Sequence, residues 1–70
     1  MPYNYEIAIT KIDAAKKAYE RGEDITSTLV EVSLILINMM KKEDELDDFY
    51  IVSRIYEDLA EKAKFYPVMP

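Results

Sequence analysis

The sequence predicts an all-α fold: a small antiparallel three-helix bundle, with a central apolar second helix through which two copies pair. Three observations predict it. Apolar residues recur at three- and four-residue spacing in three separate stretches, the signature of helices with one buried face. A lone glycine, Gly22, and a purely charged run, Lys41-Lys42-Glu43-Asp44, separate those stretches. Short connections of this kind join antiparallel neighbours. At 70 residues the chain is one helical domain, spanning 1–70, and small enough that helix packing or self-association must stabilise it.

The first helix is expected over about 5–21. Tyr5, Ala8, Ile12, Ala15 and Tyr19 form its stripe, and Ile9 widens it. Asn4 is the expected N-cap, with Glu6 in the positively polarised first turn. Lys16, Lys17 and Arg21 suit the last turns. Gly22 then offers the left-handed conformation that ends helices.

The second helix is expected over about 25–41 and carries the most apolar run in the chain, Leu29 to Met40. Two caps compete for its start: Asp24, which begins it early, and Thr28 with Glu31, a capping-box pattern that begins it late. At 100° per residue the run splits into two faces. The broad one holds Ile25, Leu29, Val32, Ile35, Leu36, Met39 and Met40. A narrow second stripe holds Val30, Leu34 and Ile37. Ser27, Glu31, Asn38 and Lys42 occupy the polar gap. A surface helix needs one apolar stripe, so two imply cover from two sides. The rival reading is a buried strand, since Val30, Val32, Leu34 and Leu36 alternate, but no other stretch offers a pairing strand.

A helix continued through Lys41–Asp44 would turn its apolar face away from the core, which argues for a turn there. Asp44 is the expected N-cap of a third helix over about 45–65. Phe49, Val52, Ile55, Tyr56, Leu59, Ala60 and Ala63 form its core face. Pro67 is the expected stop, and Pro67–Pro70 a short tail.

Composition narrows function. With no Cys there is no disulfide or thiolate chemistry, and with no His the commonest general base and metal ligand are missing together. Ser27, Ser33 and Ser53 therefore have no activating partner. A single glycine excludes P-loop and dinucleotide fingerprints. No enzyme, cofactor or metal is expected. Nine basic residues against fourteen acidic ones, a net charge of -5, disfavour direct nucleic-acid binding. Charge is polarised along the chain: residues 1–22 hold four basic and three acidic groups, residues 43–70 eight acidic and three basic. Met1-Pro2-Tyr3-Asn4 lacks the charged start and apolar core of a secretory signal, and Leu29–Met40 is too short to span a bilayer. A cytoplasmic protein without membrane contact is expected.

What remains is contact chemistry. The narrow stripe Val30, Leu34 and Ile37, with Tyr50, Ile51 and Phe65 off the core face of the third helix, forms the candidate interface for self-association or a partner. Glu45, Asp48, Glu57, Asp58 and Glu61 form a candidate acidic face suited to a protein with a basic groove. Glu43, Asp44, Glu45, Asp47 and Asp48 lack the glycine and spacing of an EF-hand loop and read instead as a helix start. Tyr5, Tyr19 and Tyr56 are assigned to packing, as is the Met39-Met40 pair.

Thr28-Leu29, Glu45-Leu46, Phe49-Tyr50, Lys64 and Tyr66, in that order, resemble the enterobacterial Hha/YmoA family, all-helical regulators of similar length. The resemblance implies a transcription-regulatory adaptor acting through nucleoid-structuring proteins. The very apolar second helix and the acidic balance depart from that pattern.

Three readings follow. The first is a small acidic, non-enzymatic protein-interaction module that is a homodimer and modulates or inhibits a partner protein. The second is a phage-type, anti-CRISPR-like inhibitor of a nucleic-acid-handling defence complex, using the acidic face as a nucleic-acid mimic. The third is an antitoxin-like or Hha-like regulatory adaptor, whose effect on DNA would be indirect.

Overall fold

A computed structural model describes residues 3–65. The chain is all-α, with three helices: α1 (Asn4–Glu20), α2 (Thr26–Met40) and α3 (Leu46–Lys62). A 3-10 turn, Glu43–Glu45, precedes α3. The expected stop at Pro67 and the tail Pro67–Pro70 lie outside the described residues, as does Tyr66.

The direction of the helices follows from two side-chain contacts. At one end, Asn4 Nδ2 donates to Glu45 Oε2 at 3.2 Å. At the other, the Tyr19 hydroxyl donates to the Lys62 carbonyl at 3.1 Å. The starts of α1 and α3 are thus adjacent, as are their ends, so these helices run the same way. α2 is reached by short turns at both ends and runs against both. All three pairs of helices touch, which closes a bundle around one core.

That core is built from the expected faces. Ala8, Ile12 and Ala15 come from α1, Leu29, Val32, Leu36 and Met39 from α2, and Val52, Tyr56, Leu59 and Ala60 from α3; Ile25 seals the end. The small residues Ala8, Ala15 and Ala60 let the helices approach closely around the larger Ile12, Leu29 and Met39. Tyr5, Ile9, Ile35, Phe49, Ile55 and Ala63 pack against this cluster from the margins. Met40, expected in the core, is 49% exposed. It is the last residue of α2, at the edge of the core face.

The C-terminal ends of α1 and α3, side by side at one end of the bundle, are set by backbone chemistry. Gly22 has φ 80 and closes α1: its N–H donates to the Tyr19 carbonyl at 2.9 Å, and Glu23 N–H donates to Ala18 at 3.0 Å. This is a Schellman motif, and it confirms the glycine stop. α3 ends the same way without a glycine. Lys64 has φ 56, its N–H donates to Glu61 at 3.1 Å, and Phe65 N–H donates to Ala60 at 2.8 Å. α3 therefore stops at Lys62, three residues before the expected end. An L residue in the left-handed region costs about 1 kcal/mol. Lys64→Gly is therefore expected to raise stability by about 1 kcal/mol in urea unfolding; a loss of stability contradicts the αL stop.

The caps differ from expectation in a consistent way. Asn4 is the first residue of α1 and Tyr3 its cap; the Asn4 amide is used across the bundle on Glu45. At α2 the early start wins. Ile25 holds the cap position, while Asp24 accepts hydrogen bonds from Thr26 N–H at 3.0 Å and Thr26 Oγ1 at 2.7 Å. Those bonds favour the ionised carboxylate and hold the Asp24 pKa below its usual value. Thr28 and Glu31 form no capping box, because α2 has already begun at Thr26; Glu31 pairs instead with Lys11 of α1 at 2.6 Å. Asp44 does not cap α3 either: it sits inside the 3-10 turn, and Glu45 occupies the cap position.

Among the described residues one buried side-chain group is unsatisfied. Tyr56 is 5% exposed, and its hydroxyl finds no hydrogen-bond partner among the described residues. Burial pushes its pKa up. A buried unpaired hydroxyl costs about 1–3 kcal/mol. Tyr56→Phe keeps the ring and removes the orphan, so the variant is expected to be at least as stable as the parent, by about 1 kcal/mol in urea unfolding. A clear loss shows that the hydroxyl is paired.

Candidate functional site

The narrow apolar stripe of α2 is on the surface. Val30 is 42% exposed and Leu34 58% exposed, and Ile37 is half-buried. Ser33, between this stripe and the core, is buried; its hydroxyl donates to the Val30 carbonyl at 2.7 Å, which satisfies it within the helix. No charged side chain of α2 interrupts Val30, Leu34 and Ile37. Lys41 follows one turn beyond Ile37, at the C-cap.

Helical phase fixes where this stripe sits. The Lys11–Glu31 ion pair marks the flank of α2 that faces α1. Val30 and Ile37 lie on the other flank, toward α3, and Leu34 points almost directly away from the core. On α3, a cleft of about 370 Å³ lined by Lys16, Tyr19, Glu20, Ile55, Asp58, Leu59 and Lys62 marks the flank facing α1. Tyr50, Ser53 and Glu57 lie on the opposite flank, toward α2. The outer face shared by α2 and α3 therefore combines Val30, Leu34 and Ile37 with Tyr50, which is 65% exposed, and with the charged Arg54, Glu57 and Glu61 along α3. The Tyr50 ring is held against Phe49, with ring centroids 5.6 Å apart and planes tilted by 37°.

The expected interface set does not stay together. Ile51 is 48% exposed but follows Tyr50 by about 100°, which turns it to the flank of α3 away from this face. Phe65 is drawn inward. The left-handed Lys64 reverses the chain, and Phe65 packs half-buried on the core, the apolar contact that accompanies a Schellman motif.

The expected acidic face is also divided. Glu45 has a side chain only 14% exposed; it accepts from Asn4 and lies 3.7 Å from Lys42 Nζ. Asp48 precedes Val52 by one turn, so it falls on the core side and is half-buried. Glu57, Asp58 and Glu61 are exposed, joined by Asp47. Arg54 stands among these four, one turn from Glu57 and Asp58, and makes no ion pair among the described residues. A cation in the middle breaks the continuity a phosphate-like surface requires.

The α1/α3 cleft carries both signs of charge over an apolar floor of Ile55 and Leu59. Its only hydroxyl, on Tyr19, is engaged with the Lys62 carbonyl. Among the described residues no group of three carboxylates converges to hold a metal ion, and no helix is long and apolar enough to cross a membrane.

Of the residues shared with the Hha/YmoA pattern, Leu29 is in the core and Leu46 and Phe49 are half-buried; these positions serve packing. No family model, curated protein or solved structure matches the chain.

Proposed function

We propose that this chain is a non-enzymatic interaction module that works as a homodimer through the outer α2/α3 face. One observation carries the reading: a helix that already fills the core with Leu29, Val32, Leu36 and Met39 carries a second stripe, Val30 and Leu34, exposed to solvent. Apolar side chains spaced one turn apart on an exposed face gain by being covered, at roughly 25 cal/mol per Å². A small domain without disulfides also gains stability from association. The dimer would leave Asp58 and the α1/α3 cleft that it lines available to a partner protein.

A salt series separates this reading from one based on the acidic face. Apolar self-association persists between 0.05 and ~0.5 M NaCl, whereas contacts between exposed charges are screened within about 10 Å at ~0.1 M. Sedimentation across that series is expected to show dimer throughout. Loss of the dimer at high salt would shift the interface to the charged residues.

A further inference from the structure

We propose that the two copies pair antiparallel about a two-fold axis running across the helices beside Leu34, so that each α2 lies on the α2 of its partner. This rests on the self-association proposed above and adds its geometry. Most homodimers have two-fold symmetry, which leaves two ways to stack a two-helix face on itself. An axis running along the helices would lay α2 on the partner's α3. The α3 side of this face is Tyr50, Ser53, Arg54, Glu57 and Glu61, so the Arg54 guanidinium would come down over Leu34 and the Glu57 carboxylate over Val30. An axis across the helices lays α2 on α2 and meets apolar stripe with apolar stripe. Leu34, midway between Val30 and Ile37, then faces its own copy, and Val30 of one chain faces Ile37 of the other.

Charge favours the same choice. Lys41 lies at one end of the face, beyond Ile37, and Glu57 lies toward the other end, since α3 runs against α2. The crosswise axis brings each Lys41 end to the partner's Glu57 end. The lengthwise axis would instead bring the Glu57 and Glu61 ends of the two copies together, four carboxylates at one place, which the crosswise axis avoids. The fifteen residues of α2 give a length of about 22 Å, and two helices about 10 Å apart give a face of roughly 500 Å² per copy. That is the size of a weak interface.

The chain has no cysteine, so single-cysteine variants read proximity directly. Leu34→Cys is expected to oxidise to a covalent dimer at least tenfold faster than Ile51→Cys, an exposed position on another flank. A mixture of Val30→Cys and Ile37→Cys chains is expected to cross-link to each other faster than either does to itself. This second test keeps Leu34 intact. Cross-linking of Leu34→Cys no faster than Ile51→Cys in a protein that still sediments as a dimer overturns this geometry and leaves the self-association standing. Fastest self-linking of Val30→Cys overturns it in favour of a parallel pair. A monomer at all concentrations overturns both.

Discussion

Leu34→Glu is expected to weaken self-association at least about a hundredfold while the three helices stay folded. Leu34 is 58% exposed and outside the core cluster. Surface changes away from packed or paired groups alter monomer stability by about 0.5 kcal/mol or less. In the dimer the same residue is central. Burying a carboxylate without a partner costs several kcal/mol, and the two-fold axis places two of them face to face. Even about 3 kcal/mol in total is more than a hundredfold in affinity. Sedimentation of the variant is expected to give a monomer, with a circular dichroism spectrum unchanged from the parent. A variant that remains dimeric would move the interface off α2.

Leu29→Ala produces the opposite pattern. Leu29 lies on the core side of the same helix and has no accessible surface. Truncating such a leucine removes its transfer energy and leaves a cavity, at about 3–5 kcal/mol. A chain of 70 residues holds about 4–10 kcal/mol in all, so the variant loses from about a third to all of its stability. Its melting temperature is expected to fall by about 15 °C or more. A loss below about 1 kcal/mol in urea unfolding would mean that the α2 core face is wrongly placed. Together the two substitutions separate the faces of α2: five residues apart, one is needed for the fold and the other for the pair.

The features legible in the sequence are those set by local chemistry. Helical period located all three core stripes, and Gly22 marked the end of α1 because only glycine is free of strain at φ 80. What the sequence did not disclose depends on neighbours distant in the chain. Asn4 has a capping side chain, but Glu45, forty-one residues away, is within its reach. Glu31 fits a capping box, but Lys11 of α1 is its partner instead. The end of α3 was missed because lysine has no preference for the left-handed region, so Lys64 carries no signal, and the misplacement of Phe65 followed from it. Asp48 and Arg54 are a different matter. Their positions follow from helical phase alone: Asp48 shares a face with Val52, and Arg54 shares one with Asp58.

The most direct test of the central claim is the molecular mass of the unmodified chain in solution. At tens of micromolar, sedimentation equilibrium is expected to give twice the 8.2 kDa of one chain, dissociating reversibly on dilution. A mass of one chain at that concentration would contradict the dimer and leave the exposed Val30, Leu34 and Tyr50 to be covered by a different protein.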